Sequence, residues 1–205
     1  MFKDKIILAS KSPRRRELIA MYFGNLAFYE GSLEEPEWDG VETPKAYLNQ
    51  CVATKWANAQ KGVRMLLTSE DERWGLLVGD TIVVLGQKVL GKPPTPAAAV
   101  GMLNELSGKT HVVRTGYRIA LFQGDRVIAD SETVVTESEV TFHRLRPAEI
   151  RAYVKTGNPM DKAGAYGFQD GALKFVSHVR GSYTNIIGLP IFDVVSTAEK
   201  IGFRA

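Results

Sequence analysis

The run Leu76-Leu77-Val78-Gly79-Asp80-Thr81-Ile82-Val83-Val84-Leu85 constrains this chain more than any other stretch. It predicts two apolar half-strands of a buried sheet, interrupted by Gly-Asp-Thr. An aspartate inside such a strand is costly unless it is paired or bound to a metal. Asp80 is therefore the best single catalytic candidate, set against the plainer reading of a hydrogen-bonded structural acid at a strand bend.

The N-terminal segment asks for an anion. The apolar residues Ile6, Ile7 and Leu8 lead through Ala9-Ser10-Lys11-Ser12-Pro13 into an amphipathic helix, with Ser12 as N-cap and Pro13 as first helical residue. Arg14, Arg15 and Arg16 then fall in a first turn whose backbone dipole already carries partial positive charge and favours acidic neighbours. On the helical wheel Arg15 lies mid-face with Leu18, Ile19 and Tyr22, Arg14 lies at the edge of that face, and Arg16 points to solvent. Two inward arginines beside Ser10 and Ser12 at a helix N-terminus fit phosphate oxygens. For a single arginine, a structural pair with a carboxylate would be the simpler account.

The remaining chain alternates strands with helices and predicts an α/β fold. Helices are expected from Pro13 to Gly24, Pro44 to Lys61, Pro96 to Ser107, Pro147 to Lys155 and Ile191 to Ile201. Short strands are expected at Leu26 to Tyr29 and Lys88 to Leu90. Longer ones at Thr110 to Thr115, Tyr117 to Phe122, Arg126 to Ala129 and Thr133 to Phe142 give a mixed or antiparallel portion of sheet, and Leu173 to Val179 follows. Residues 63 to 74 read as a surface loop. Lys55 falls in the apolar stripe of the second helix and is either a lysine snorkelling at the core rim or a cation of the site. Lys92, taken alone, is an ordinary surface lysine, and His111 at a strand start reads as structural. In the acidic loop, Glu37 and Asp39 read as solvated, while Glu35 stays open as a metal or site carboxylate. The stretch from Asn158 to Gly171 is a long loop of low polarity, which favours function over disorder.

Composition bounds the class. With 205 residues, 24% charged and 44% hydrophobic, the chain reads as a soluble globular protein. A net charge of +3 without a basic run gives no case for nucleic-acid binding. The single cysteine, Cys51, excludes an internal disulfide and reads as a buried thiol. No apolar stretch is long enough to span a bilayer and no signal peptide precedes the first strand, so no membrane partner and a cytoplasmic location are expected. The Walker phosphate loop, the dinucleotide glycine fingerprint, zinc-ligand clusters and the Gly-x-Ser-x-Gly elbow are all absent from the sequence.

Several motifs in one order resemble the Maf family of nucleoside triphosphate pyrophosphatases. They are Leu-Ala-Ser-Lys-Ser-Pro-Arg-Arg ending at Arg15, Gly-Asp-Thr-Ile-Val starting at Gly79, Gly-Lys-Pro starting at Gly91, and Leu-Ser-Gly-Lys-Thr-His ending at His111. Asp-Lys-Ala-Gly-Ala-Tyr-Gly-Phe-Gln, ending at Gln169, and Gly-Ser-Tyr-Thr-Asn-Ile-Ile-Gly-Leu-Pro, ending at Pro190, complete the set. The resemblance implies a single domain over residues 1–205, with a mixed twisted sheet flanked by helices and two lobes around a central cleft, similar to inosine triphosphate pyrophosphatases.

It also implies Asp80 as the catalytic acid or base, Ser10, Ser12, Arg14, Arg15, Lys55, Lys92 and Lys162 around a nucleoside triphosphate, and Glu35 with Asp80 on a divalent metal, Mg²⁺ or Mn²⁺. Arg14, Thr81 and Gln169 would discriminate the base. The loop ending at Gln169 is similar to the branch acting on dTTP and UTP, which points to monophosphate and pyrophosphate as products and to a role in clearing modified pyrimidine nucleotides. A homodimer is compatible with it. Lys11 in place of the usual glycine and Phe168 in place of an aliphatic depart from the pattern. The alternative is a nucleotide-binding regulator of septum formation with little turnover.

Overall fold

A computed structural model describes residues 1–31, 36–67 and 72–204. Its centre is a mixed sheet in the order β2-β1-β3-β5-β7-β8, with β4 added to β3 and β6 to β5. The strands are β1 (Lys5–Ala9), β2 (Leu26–Tyr29), β3 (Arg73–Leu85), β4 (Lys88–Leu90), β5 (Thr110–Gln123), β6 (Arg126–Asp130), β7 (Val134–Phe142) and β8 (Val176–Arg180). β1 runs parallel to β2 and β3, and the remaining pairings between these named strands are antiparallel.

The helices are α1 (Pro13–Ala20), α2 (Pro44–Gly62), α3 (Pro96–Leu106), α4 (Pro147–Val154), α5 (Tyr183–Ile187) and α6 (Ile191–Lys200). Four of them open with a proline in the first turn, which loses nothing there because that N–H has no intrahelical partner. Ser12, Thr43 and Thr95 cap three of these by accepting the N–H three residues on.

The strand period of two sorts the core. On β3, Leu76 and Val78 pack with Val52, Trp56 and Ala59 of α2. Leu77 faces the opposite way, into a cluster holding Leu18 and Ile19 of α1 and Val194 and Ala198 of α6. A third cluster joins Leu103 and Leu106 of α3, Ile150 and Tyr153 of α4, and Val113, Val140 and Phe142 of β5 and β7. Among the described residues no helix is long and apolar enough to cross a membrane.

Several expectations need correction. β3 is one continuous strand: Gly79, Asp80 and Thr81 keep their pairing with Tyr117, Gly116 and Thr115 of β5, so nothing breaks at the aspartate. For the same reason β5 is unbroken where two strands were expected. Helix α1 ends at Ala20, because Phe23 is drawn away to stack on Phe2 with ring centroids 4.6 Å apart. Part of the supposed 63–74 surface loop extends α2 as a 3₁₀ turn, Val63–Leu66, with Val63 fully buried, and Arg73 opens β3. The Asn158–Gly171 loop contains two 3₁₀ turns, and Ala172–Phe175 is a third, which delays the strand expected at Leu173 to Val176.

Candidate active site

The site forms where parallel pairing stops. β1 pairs with β3 only as far as Ala9 opposite Val78, and the chain then turns away through Ser10, leaving Asp80 and Thr81 without a paired strand on that side among the described residues. Ligands of α/β sheets sit in such crevices beyond the carboxyl ends of parallel strands. Here the crevice opens into a cleft of about 530 Å³, lined by the Ser10–Arg15 loop, Lys55, the Gly79–Val83 part of β3, Lys92, and residues 161–163 and 166–169.

Strand alternation gives Asp80 and Thr81 different partners. Asp80 faces α2, where the Nζ of Lys55 donates to its Oδ1 at 2.8 Å, and both side chains are buried. Lys55 is thus a buried partner of Asp80 and does not snorkel to solvent at the core rim. Thr81 faces the other way, its Oγ1 accepting from Nη2 of Arg15 at 2.9 Å. That same Nη2 stands 3.9 Å from Asp80 Oδ1. Burial pushes the Asp80 carboxyl up, but the charges of Lys55 and Arg15, the Lys55 hydrogen bond and the Thr81 backbone N–H outweigh it and hold it below the usual carboxylate range.

Arg15 is buried as the helical wheel predicts, and the protein itself supplies acceptors for it. Its Nε donates to the carbonyl of Gly188 at 2.7 Å and its Nη1 to Ser10 Oγ at 3.4 Å. Gly188 follows α5 at φ +126°, a conformation that L residues rarely adopt. Sequence reasoning passed over α5, although Ser182 in N-cap position was the available signal. Arg16 does not point to solvent as expected. It bends back to donate to the carbonyl of Ser10 at 2.9 Å and to Glu30 at 2.5 Å, and so braces the loop. Ser10 Oγ also accepts the Ser12 N–H at 3.2 Å, and Ser12 Oγ accepts the Arg15 N–H at 3.4 Å. In these bonds both hydroxyls act as acceptors, so each keeps its own proton to donate.

The far wall belongs to the 158–171 loop. Lys162 is buried, its Nζ bound by the Asn158 carbonyl at 2.6 Å, Asp161 Oδ1 at 2.6 Å and Asp170 Oδ2 at 2.9 Å. Arg14, half-buried, reaches Asp161 Oδ2 at 3.8 Å. Lys92, exposed two residues beyond β4, and Gln169, exposed in a turn of the 158–171 loop, also line the cleft. Beneath this wall Tyr166 Oη meets His111 Nε2 at 2.7 Å, which gives His111 the structural role expected of it, and burial lowers the imidazole pKa to about 4.

One cleft thus collects Ser10, Ser12, Arg14, Arg15, Lys55, Asp80, Thr81, Lys92, Lys162 and Gln169. Glu35, the expected second metal carboxylate, lies outside the described residues. Among the described residues no three or more His, Cys, Asp or Glu side chains gather into a metal cluster. A single buried carboxylate still fits Mg²⁺, which takes one or two carboxylates and completes its shell with water and substrate phosphate.

The family model described as Maf-like protein matches residues 5–201. The chain belongs to the Maf family. A dTTP/UTP pyrophosphatase of Geobacter sulfurreducens is 42% identical over 98% of this chain and 99% of its own length. One of Aromatoleum aromaticum is 41% identical over 97% and 96%. A solved HAM1 protein from Coxiella burnetii aligns with 97% of this chain and all of its own, at 13% identity and a TM-score of 0.40, a weak likeness.

Proposed function

We propose that this Maf-family chain is a nucleoside triphosphate pyrophosphatase that hydrolyses dTTP and UTP to the monophosphate and pyrophosphate, working as one domain over residues 1–205. The observation that carries this reading is a carboxylate held ionised by Lys55 and Arg15 at the bottom of a cleft whose rim is basic. Two relatives above 40% identity, each named dTTP/UTP pyrophosphatase, supply the substrate class.

Phosphoanhydride hydrolysis needs little from the protein besides positioning and charge, since the anhydride is already activated and the substrate is a polyanion. Ser10 and Ser12 would donate their hydroxyl protons to phosphate oxygens. Arg14, Lys92 and Lys162 would neutralise the triphosphate from the rim, and Arg15 and Lys55 would sit beneath it. Asp80 would accept a hydrogen bond from the attacking water and orient it. A carboxylate of lowered pKa is a weak base, so it serves better as a fixed negative charge than as the final home of the proton. Asp80 would also hold a divalent ion, joined in our reading by Glu35, and such an ion lowers the pKa of bound water and offsets phosphate charge. Gln169 and Thr81, with Arg14, would contact the base.

The test is steady-state turnover of a panel of nucleoside triphosphates, canonical and modified, with Mg²⁺, Mn²⁺ or a chelator. UTP and dTTP should turn over fastest, with activity lost in the chelator. Tight nucleotide binding without turnover under every metal condition would overturn the proposal.

A further inference from the structure

Behind the cleft wall a line of hydrogen bonds runs in one direction. It starts at Arg15, whose guanidinium can only donate and gives Nη2–H to Thr81 Oγ1 at 2.9 Å. Thr81 Oγ1 lies 2.9 Å from Thr115 Oγ1, its partner across the β3–β5 ladder. Thr115 Oγ1 in turn donates to the backbone carbonyl of Asn185 at 3.1 Å. A hydroxyl has one proton and two lone pairs. With the Thr115 proton given to Asn185, the proton shared between the threonines is that of Thr81. The other acceptor near Thr81, the Gly188 carbonyl, is farther off at 3.4 Å and already takes Arg15 Nε.

The end of this line is well anchored. Asn185 is fully buried in α5, and its Nδ2 donates to the Val113 carbonyl at 3.0 Å and to Ser138 Oγ at 2.9 Å. Thr115 is itself fully buried, between Val113 and Tyr117 on one face of β5. A valine has the same shape and would cost no polar burial there. The hydroxyl at this position therefore needs a use.

Thr81 lines the cleft, yet its proton is spent inside the protein and one lone pair is taken by Arg15. A lone pair is what it has left to offer a ligand. We infer that Thr115 is a positioning residue for base choice: by taking the Thr81 proton it leaves Thr81 an acceptor, suited to the imide N3–H of uracil and thymine and mismatched to cytosine, whose N3 is itself an acceptor. The inference rests on the proposed dTTP and UTP activity and assigns Thr115, which does not touch the cleft, a share in its specificity.

The experiment compares kcat/KM for UTP and CTP in the full chain, in Thr115→Val and in Thr115→Ser. The valine variant frees the Thr81 hydroxyl to rotate and donate, so the UTP-to-CTP ratio should fall roughly tenfold, the scale of one mispaired buried hydrogen bond. Serine restores the proton acceptor and should keep the wild-type ratio. A purely structural Thr115 would lower both substrates together, and an unchanged ratio in Thr115→Val overturns the inference while leaving the proposed function standing. A wild type that does not prefer UTP over CTP overturns both the inference and the pyrimidine specificity. Thr115→Ala carries the same test if the valine variant does not fold.

Discussion

Two lysine–carboxylate clusters line the same cleft and are held by different means. Lys55 and Asp80 project from regular elements, α2 and β3, and both are almost wholly removed from solvent, at 5% and 6% exposure. Lys162 is as buried, but it sits in the loop between α4 and β8, and its partners Asp161 and Asp170 have side chains 65% and 35% exposed. Gly167 makes room for it: a Cβ there would stand 2.5 Å from Lys162 Cε and from Asp170 Oδ2. The buried pair has desolvated both charges, so removing either partner leaves the other charge buried without its 2.8 Å contact. At the rim the carboxylates keep water, so giving up one of them costs less than breaking the buried pair; in the proposed function the substrate phosphates would take their place on Lys162. One cluster is a fixed charge at the cleft bottom, and the other is an ammonium whose three N–H groups are held by a carbonyl and two partly exposed carboxylates.

That contrast can be broken at either end. Asp80→Asn should have the largest effect, lowering UTP turnover about a thousandfold in steady-state assays, because it removes the buried carboxylate proposed to orient water. Lys55→Met should destabilise the fold by about 3 to 5 kcal/mol in urea titration at neutral pH, because it leaves Asp80 charged and without its nearest partner in a dry site. Lys162→Ala should raise KM for UTP about tenfold with a smaller change in kcat, as expected if Lys162 binds phosphate throughout the reaction, the role proposed for it. Asp170→Asn should lower KM two- to threefold by roughly the worth of one half-exposed ion pair, because Lys162 loses a competitor for the substrate.

The neutral imidazole under the rim gives a pH prediction. His111 is lowered by burial from about 6.5 to about 4, so between those values the unfolded chain binds the proton and the folded one does not. Stability should therefore fall as pH drops from about 6.5 towards 4, by up to roughly 1.4 kcal/mol per pH unit from this residue. His111→Phe should flatten that part of the urea-midpoint profile, and an unchanged slope would assign the acid sensitivity to other groups.

Much of this site was legible in the sequence because its signals are local. The N-cap serine followed by proline located α1, the wheel placed Arg15 inward, and an aspartate in an apolar run exposed Asp80. What pairing across the sheet decides was not legible. No local pattern says that β3 stays paired to β5 through Asp80, or that Lys55 on α2 meets Asp80 once alternation turns that carboxylate towards the helix. Arg16 was misplaced for the same reason, since the wheel describes one helix and its acceptors, Ser10 and Glu30, lie in the preceding loop and at the end of β2. Helix α5 is short and apolar at its end, so it reads as loop until Asn185 is seen to bind β5 and β7.

Product identity with UTP tests the central claim most directly. Chromatography of a reaction followed to partial completion should give UMP and pyrophosphate in equal amounts, with no UDP at any time. UDP with inorganic phosphate would contradict the account, because the cleft would then cut only the terminal anhydride bond.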